Sequence, residues 1–376
     1  MIYYIGHYSC EKIRHEDRAV SAVGVSKMNY IISALSETGV DDIEIVSPAV
    51  TKKDKIVKGA KYDICDRVTL KTFTSIGGRN KLIRIFGQIF TRCSFLLYLL
   101  FKVSAKDQII VYHSLSYMTT ISIVRKLKKC SFILEIEEIY ADIKENEFLR
   151  KKETNYFKRA DKYILITKLL LKEINSKKKN IVSHGTYLAL PKLCSPFDDN
   201  RKHIVYAGTF SRVKAGVFQA IAAAEYLDSS YVLHILGGGT ETEIENVTRK
   251  IQETAAKTAC EIRYVGYKQG DDFNAYIQSC NIGLSTQQPE GKYNATSFPS
   301  KILMYMSHGL RVVSIRIPAV ETSEIGEFIY YYDTPDGKTL AEAIRSVPFD
   351  DKYDSRAKLQ ELHSLFVEKL SNLLQE

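Results

Sequence analysis

The sequence predicts an α/β protein of two domains, each built on a doubly wound parallel sheet. Its 376 residues are too many for one ordinary core and suit two domains. Short apolar runs alternate with amphipathic stretches along nearly the whole chain, which is the pattern of repeated strand–helix units. A segment at 187–202 contains two prolines and no periodicity, so we interpret it as a linker between two halves.

The first half alternates short apolar runs with helical patterns. The apolar runs predict strands at 2–5, 43–46, 108–112, 132–136, 162–166 and 180–182. Between them, apolar residues recur at helical spacing and predict helices at 25–37, 82–102, 117–128 and 149–158. We therefore expect a first domain over 1–190.

The second half repeats this alternation after the linker. Strands are predicted at 203–206, 232–236, 261–264, 282–285, 311–315 and 328–332. Helices are predicted at 216–227, 242–258, 271–279, 301–308 and 339–346. We expect a second domain over 200–350, and we expect a final amphipathic helix, 356–376, to pack on the first domain.

The composition is that of a folded protein in a reducing compartment. Hydrophobic residues make up 45% and charged residues 26% of the chain. Seven cysteines without a C-x-x-C spacing indicate reduced thiols rather than a zinc or redox site. The N-terminus has no basic segment followed by a long apolar run, so it predicts no signal peptide. We therefore expect a cytoplasmic protein.

Positive charge is concentrated in the first half. Residues 1–190 hold 33 Lys and Arg against 20 Asp and Glu, a net +13, while the remainder holds 20 against 24, a net −4. In the stretch 81–102, KLIRIFGQIFTRCSFLLYLLFK, Arg84 and Arg92 stand among apolar residues, and the uncharged run is too short to span a bilayer. The pattern is typical of a helix lying on an anionic membrane, and equally of a partly buried helix.

Two glycine-containing loops open the second domain. In HIVYAGTFSRVKAG, residues 203–216, a strand runs into Gly208 and then a polar loop with Arg212 and Lys214. Ligands of doubly wound sheets bind at the carboxyl ends of strands, where glycine admits close approach and two cations suit a diphosphate. The next strand ends in LGGG, which includes Gly238 and predicts either close ligand approach or a flexible loop.

The most specific pattern is NATSFPSKILMYMSHGLRVVS, residues 294–314. A polar loop ends in FPSK, a short helix follows and stops at Gly309, and a buried strand comes next. Pro299 or Ser300 would begin the helix. Because N–H groups at a helix start attract anions, and Lys301 stands beside them, we predict an anion site here.

These elements, in this order, resemble the retaining GT-B glycosyltransferases, in particular the family 4-like group that builds bacterial surface polysaccharides. The matching segments are YAGTFSRVKAG, LGGG and FPSKILMYMSHGLRVV, with RADKYILIT and IVSHGTYL in the first half. The resemblance covers most of 105–335. It implies two Rossmann-like domains facing a central cleft, the first binding the acceptor and the second binding the nucleotide-sugar donor.

The resemblance also implies roles for single residues. The residues placed at the donor diphosphate are Gly208, Arg212, Lys214, Ser297, Phe298, Ser300 and Lys301. Those placed near the donor base or sugar are Gly238, Gly266 and Tyr267. Gly24, just before the first predicted helix, matches a glycine loop that faces the donor and the acceptor.

The sequence departs from the family at acidic positions. Thr296 and Met304 stand where the family often carries two glutamates, one of which typically binds the ribose. Glu290 is the nearest upstream acid and is our candidate for a sugar contact. Where the family often has a His-Asp pair after a first-domain strand, this chain has LEIEE, so Glu137 or Glu138 becomes the catalytic candidate.

One histidine is a further catalytic candidate. His113 follows a predicted strand, in VYHSLS, where it would face the cleft, and a structural role is the alternative.

We expect the chain to move a sugar from a nucleotide-diphosphate sugar, with UDP-sugar favoured, to a lipid-linked or polysaccharide acceptor. Retention of configuration and a role in capsule, O-antigen or exopolysaccharide synthesis at the inner membrane surface follow from the resemblance. No metal-ligand pair or Asp-x-Asp occurs, so no metal cofactor is expected.

Three alternatives stay open. The chain would be a non-catalytic GT-B-like binding partner, a sugar-nucleotide epimerase of the same architecture, or a nicotinamide dehydrogenase. The last is disfavoured because no dinucleotide fingerprint occurs. The sequence contains no module of alternating aromatic and basic residues of the kind that binds nucleic acid, so no binding to nucleic acid is expected.

Overall fold

A computed structural model of the chain describes residues 1–40, 42–143, 145–210, 216–288, 296–349 and 352–375. The chain divides into two compact units: Met1–Thr186 with Leu365–Glu376, and Tyr187–Ser364. The first boundary falls at the start of the non-periodic segment, and the second falls within the final helix. That helix therefore contributes residues to both units.

The first unit is built on a largely parallel sheet. Its strands are β1 (Ile2–Ile5), β2 (Ile43–Ser47), β3 (Ile56–Val57), β4 (Lys61–Cys65), β5 (Val68–Thr72), β6 (Ser75–Ile76), β7 (Gln108–Tyr112), β8 (Ser131–Ile136), β9 (Lys162–Leu165) and β10 (Asn180–Val182). Eight of them lie in the order β10-β9-β8-β7-β1-β2-β5-β4, and only β4 is antiparallel to its neighbour. β3 and β6 form a separate antiparallel pair.

Helices connect these strands. They are α1 (Ala22–Glu37), α2 (Lys81–Lys102), α3 (Met118–Lys128), α4 (Tyr140–Ile143), α5 (Glu147–Phe157) and α6 (Leu170–Ile174), with a 3-10 helix at Glu11–Glu16. All residues of β1 and β2 are buried, as expected for central strands of a sheet covered on both faces.

The second unit contains a six-stranded, fully parallel sheet. Its strands are β11 (Lys202–Thr209), β12 (Tyr231–Gly238), β13 (Glu261–Gly266), β14 (Ile282–Ser285), β15 (Arg311–Ile315) and β16 (Ile329–Tyr332). Its helices are α7 (Gly216–Ala223), α8 (Glu241–Ala255), α9 (Gly270–Gln278), α10 (Ser300–Ser307), α11 (Pro318–Glu321), α12 (Gly337–Ser346) and α13 (Ser355–Gln375), with 3-10 turns at Ala224–Tyr226 and Gly326–Phe328.

The end of α13 packs on the first unit. Phe366 stacks on Tyr30 of α1 with ring centroids 5.6 Å apart. Gln108 donates a hydrogen bond to the carbonyl of Leu374 at 2.7 Å. The buried side of this last part of α13 thus extends the hydrophobic core around α1.

Both sheets have the strand order of a doubly wound fold. In the second unit β11 lies between β12 and β14, in the order β13-β12-β11-β14-β15-β16. In the first unit β1 lies between β2 and β7 in the same way. In each sheet the strand order reverses beside the first strand, β1 or β11, so the chain connections on its two sides run in opposite directions. Ligands of such sheets bind at the carboxyl ends of the strands next to this reversal.

The predicted alternation of strands and helices is confirmed, but several short elements were not predicted and several boundaries differ by a few residues. The elements that were not predicted are β3, β4, β5, β6, α4, α6 and α11. The hairpin of β4 and β5 was not predicted, because β4 is an edge strand that has no continuous apolar run. It alternates exposed Lys61, Asp63 and Cys65 with half-buried Tyr62 and Ile64. Phe328 was predicted to begin a strand, but it closes a 3-10 turn and β16 begins at Ile329.

Candidate functional site

In the second unit, Lys301 lies directly against the carboxyl end of β11. Its Nζ is 3.7 Å from the centroid of the Tyr206 ring. A β-carbon added to Gly208 would lie only 2.4 Å from the same Nζ. Any larger residue at 208 would therefore displace the ammonium group. The structure thus brings together Gly208 and Lys301, which were both predicted from the sequence, at the point where the connections diverge.

The start of α10 adds further positive potential beside this lysine. Ser300 is the first helical residue and Pro299 is the N-cap, whose side chain makes no capping hydrogen bond. The N–H groups of a first helical turn have no partner within the helix, and they carry the positive end of the helix dipole. Ser300 is exposed and Ser297 is half-buried, whereas Phe298 is buried and anchors the loop.

Packing under α10 fixes this geometry. The Tyr305 hydroxyl accepts a hydrogen bond from the backbone N–H of Ala207 at 2.8 Å. Its ring fills the space where Gly283 of β14 has no side chain, since a β-carbon there would lie 2.2 Å from the ring. The helix ends before Gly309, which has a φ of 87° and takes the left-handed conformation predicted for the stop.

The glycine-rich turn after β12 packs tightly against β11. Gly237 pairs with Gly208 and has a φ of 134°, and a β-carbon on it would lie 1.8 Å from the Gly208 carbonyl oxygen. In contrast, a β-carbon on Gly238 would meet nothing within 4 Å. Gly237 is therefore required by the sheet, while Gly238 leaves open space at the carboxyl edge.

The predicted contacts to the base lie along the same edge, at the end of β13. Gly266 has a φ of 78°, and no atom approaches the position of a β-carbon within 4 Å. Tyr267 follows it and is 75% exposed. An exposed aromatic ring beside an open glycine suits the face of a nucleotide base.

Three predicted donor residues, Arg212, Lys214 and Glu290, lie outside the residues that the structure describes. Among the described ones, Thr296 is buried and Met304 is half-buried, so neither position presents a carboxylate. The described part of the predicted donor site is thus a cationic edge made of Lys301 and the start of α10.

In the first unit, Glu137 follows the end of β8 and pairs with a buried lysine. Lys27 of α1 places its Nζ 3.6 Å from Glu137 Oε1, and it donates hydrogen bonds to the carbonyl and hydroxyl of Ser183, each at 2.8 Å. The Glu137 side chain is 20% exposed. Burial raises the pKa of Glu137, and the positive charge of Lys27 opposes that rise. Glu138 is half-buried beside it.

Glu135 lies two residues earlier, within β8, and is fully buried. It accepts a hydrogen bond from the Tyr4 hydroxyl. Burial, and then the negative charge of Glu137, raise the pKa of Glu135 well above its ordinary value. The pair therefore holds a proton more readily in the folded chain than in the unfolded chain.

We expect this buried pair to make the stability of the first unit depend on pH. An unfolded glutamic acid has a pKa of about 4.3, so as the pH rises above that value the unfolded chain loses the proton before the folded chain does. Stability should therefore fall with rising pH across the interval up to the raised pKa. Glu135→Gln should flatten this slope in urea unfolding at several pH values. Glu11→Gln, which changes an exposed carboxylate, should keep the wild-type slope; a wild-type slope in Glu135→Gln would contradict the assignment.

His113 follows β7 but does not reach the surface. Only 2% of it is exposed, and its Nε2 lies 2.7 Å from Oε1 of Glu153. Glu153 also accepts the backbone N–H of Ala141, and Phe157 packs edge-on against the imidazole. Burial lowers the pKa of His113. These contacts favour a structural role, in which the histidine holds α4 and α5 together through Glu153.

Gly24 was predicted to lie in a loop before α1, and that location is wrong. Ser21 caps the helix by accepting the Gly24 N–H at 3.4 Å, so α1 begins at Ala22 and Gly24 falls in its first turn. The helix starts earlier than its apolar pattern because a serine cap needs no apolar residue. Gly24 still lies at the carboxyl edge, where a β-carbon would be 3.6 Å from the Tyr112 hydroxyl.

Three residues of this arrangement were not predicted from the sequence. Lys27 was read as part of an ordinary amphipathic helix, although it falls on the buried side with Met28 and Ile31. Glu135 interrupts an otherwise apolar strand, and that interruption was the available signal. Tyr206 begins the matching segment YAGTFSRVKAG, but no role was predicted for it. Among the described residues, no group of three possible metal ligands lies together.

A comparison with protein families bears on the second unit. Residues 201–348 match the family model described as Glycosyl transferases group 1. The match contains β11 and the glycine-rich turn after β12, and it also contains α10, which forms the cationic edge. This stretch of the second unit is therefore similar to group 1 glycosyl transferase domains. No curated protein matches the chain.

Solved structures share the architecture of the whole chain. The α,α-trehalose 6-phosphate synthase of Burkholderia multivorans is similar with a TM-score of 0.65 and 11% identity, over 99% of this chain and 95% of that chain. HepE of Anabaena in complex with UDP has a TM-score of 0.64 and 11% identity, and the match covers 100% of this chain and 98% of that chain. The trehalose-6-phosphate protein of E. coli bound with UDP-2-fluoro glucose has a TM-score of 0.65 and 9% identity, and the match covers 100% of this chain and 97% of that chain. At these identities the likeness shows the fold, which is GT-B, and it confirms the predicted fold class.

Proposed function

We propose that the chain transfers a sugar from a nucleotide-diphosphate sugar, and that the group 1 domain holds the donor diphosphate at Gly208 and Lys301. The observation that carries this proposal is the position of Lys301 Nζ against Gly208 at the carboxyl end of β11. In glycosyl transfer, negative charge develops on the departing diphosphate, and a preorganised cation with helix N–H groups stabilises it. Arg212 and Lys214, which follow Gly208 in the sequence, would add positive charge.

UDP is the favoured nucleotide. Two proteins that share the fold bind UDP or a UDP-sugar, and this supports the choice without deciding the sugar. A thermal-shift screen of UDP-, GDP- and TDP-sugars tests it. We expect a UDP-sugar to raise the unfolding temperature of the protein most, and stabilisation by GDP- or TDP-sugars alone would overturn the choice of base.

A non-catalytic role is the second candidate, because Thr296 and Met304 offer no carboxylate to the donor. Incubation with the stabilising donor separates the possibilities. A transferase forms a glycosylated product only when an acceptor is supplied, with the anomeric configuration retained. An epimerase changes the donor without an acceptor, whereas a binding partner leaves the donor intact in both conditions.

The acceptor is proposed to be lipid-linked or a growing polysaccharide, as in capsule, O-antigen or exopolysaccharide synthesis, at the cytoplasmic surface of the inner membrane. Helix α2 supports this. The uncharged run within α2 is too short to span a bilayer, whereas the whole helix is long and apolar enough to cross one by length and composition, which is weak evidence of a span. Of its most apolar 18-residue window, 22% is buried within the protein. It packs through a narrow stripe of Gly87, Thr91, Phe95 and Leu99.

The opposite side of α2 is apolar and exposed. Phe86 is 61% and Leu97 is 53% exposed, and both lie on one face with Leu82, Ile89 and Cys93, none of which is charged. Basic residues flank this face. A helix with an uncharged outward face and flanking cations suits insertion into the interface of an anionic bilayer.

We expect the double variant Phe86→Ser, Leu97→Ser to bind anionic vesicles at least about tenfold more weakly, since each side chain loses roughly 1 kcal/mol of burial in the interface. Co-sedimentation with phosphatidylglycerol vesicles measures this. The control is Phe148→Ser, which removes an apolar residue of the same unit that is 81% exposed on α5. Equal loss in the control, or none in the double variant, would contradict membrane contact through α2.

A further inference from the structure

A cavity of about 150 Å³ lies at the carboxyl edge of the first sheet, beside α2. His7 follows β1, Pro48 follows β2 and Ser116 follows β7, and all three line it. The imidazole Nε2 of His7 lies 3.2 Å from the Ser116 hydroxyl. This contact joins the two strands between which the connections diverge, which is where doubly wound sheets take their ligands.

The lining of this cavity favours an anion. It contains no Asp or Glu, and its one charged side chain is Arg92 of α2. Burial, followed by the nearby charge of Arg92, lowers the pKa of His7 to about 4, so the imidazole is neutral at pH 7. Gln88 lies one turn before Arg92 and supplies an amide to the same cavity.

Arg92 is available for a ligand. Its side chain is exposed, and it makes no hydrogen bond or ion pair with any residue in the part of the chain that the structure describes. A guanidinium group presents five N–H donors in a planar fork, which matches a phosphate in two parallel hydrogen bonds. The Phe95 side chain closes the cavity below it.

Helix α2 connects this cavity to the apolar face described above. Gln88, Arg92 and Phe95 point into the cavity, while Phe86, Ile89 and Leu97 are exposed on the other side. A single helix therefore carries both a surface for acyl or isoprenoid chains and a cation for a head group. A ligand that uses both must be a lipid with a small anionic head.

We propose that this cavity binds the phosphate or diphosphate head of a lipid-anchored acceptor, with Arg92 as the group that binds the anion. This proposal rests on the proposed function, because only a transferase has an acceptor. It adds the chemical class of that acceptor and the residues that recognise it. The geometry points to a diphosphate that is carried by a lipid. The test distinguishes this from binding through the diffuse charge of phospholipids and from binding of a soluble anion.

The test compares binding of the full chain to three vesicle preparations. These are phosphatidylcholine alone, phosphatidylcholine with geranylgeranyl diphosphate, and phosphatidylcholine with enough phosphatidylglycerol to match that charge. The wild type should bind the diphosphate vesicles about tenfold more tightly than the phosphatidylglycerol vesicles, because charge-assisted hydrogen bonds add to diffuse attraction. Arg92→Gln should remove that preference, and Gln88→Ala should reduce it.

Arg84→Gln is the matched control. Arg84 is an exposed arginine of the same helix that does not line the cavity. This variant should weaken binding to both anionic vesicles equally and keep the preference. Equal effects of Arg92→Gln and Arg84→Gln would show that Arg92 contributes diffuse charge alone, and would overturn the proposal. Stabilisation by inorganic pyrophosphate that depends on Arg92, without any preference for diphosphate vesicles, would also overturn the lipid source.

The result of the vesicle test can be distinguished from the result of the test of the donor site in the second unit. Thermal stabilisation of the wild type by UDP-sugars reports on the second unit and uses no vesicle. Failure of that stabilisation would remove the proposed function and leave the diphosphate-lipid preference standing. Absence of the preference, with stabilisation intact, would remove only the proposal for the cavity.

Discussion

Replacing Lys301 by alanine should lower the rate of sugar transfer by about 10²- to 10³-fold, which is the usual cost of losing one preorganised group that stabilises developing negative charge. The Nζ of Lys301 is fixed between the Tyr206 ring and Gly208, so no rearrangement is needed when the diphosphate departs. The effect should fall mainly on kcat, because the charge grows in the transition state.

The matched control for this prediction is Lys338→Ala. Both lysines are the second residue of a helix in the second unit, but Lys338 is exposed at the start of α12. Steady-state kinetics with the donor found in the nucleotide-sugar screen makes the comparison. A folded Lys301→Ala protein with the wild-type kcat/KM would contradict the assignment of the leaving-group site.

Replacing Gly237 by alanine should destabilise the second unit by about 3 kcal/mol or more. The φ of 134° is unfavourable for any residue with a side chain, and the new β-carbon would lie 1.8 Å from the Gly208 carbonyl oxygen. Strands β11 and β12 would have to separate where they now pair. At a few degrees per kcal/mol, the unfolding temperature should drop by roughly 10 °C.

Gly238→Ala is the neighbouring control, since its β-carbon would meet nothing within 4 Å. It should change the unfolding free energy by no more than about 0.5 kcal/mol. Differential scanning calorimetry of the two variants measures both effects. Equal unfolding temperatures would show that the turn after β12 does not hold the end of β11.

The fold could be predicted because its signals are local. Apolar runs such as 2–5 and 282–285 are short and bounded by polar residues, and each forms a strand in the structure. The edge hairpin of β4 and β5 escaped prediction because an edge strand needs apolar residues on one face at most. The start of α1 escaped because its cap is a serine that lies outside the apolar pattern.

The site could be predicted only in part, because its contacts join distant residues. Gly208 and Lys301 were identified from separate motifs, but their contact depends on how α10 packs over β11 through Tyr305. The pairing of Lys27 with Glu137 links α1 to the end of β8, and no sequence pattern around either residue predicts that the two are in contact. The cavity beside Arg92 requires three strand ends and α2 together, so no single segment shows it.

We propose that the donor diphosphate binds where Lys301 contacts Gly208, and titration of UDP into the wild type and into Gly208→Val tests this most directly. The valine would occupy the position of the Lys301 ammonium group, 2.4 Å from the added β-carbon. We predict that isothermal titration calorimetry shows UDP binding to the wild type and a loss of at least about tenfold in affinity in a folded Gly208→Val protein, as expected when a charge-assisted contact is removed. Equal affinity in the two proteins would contradict the claim.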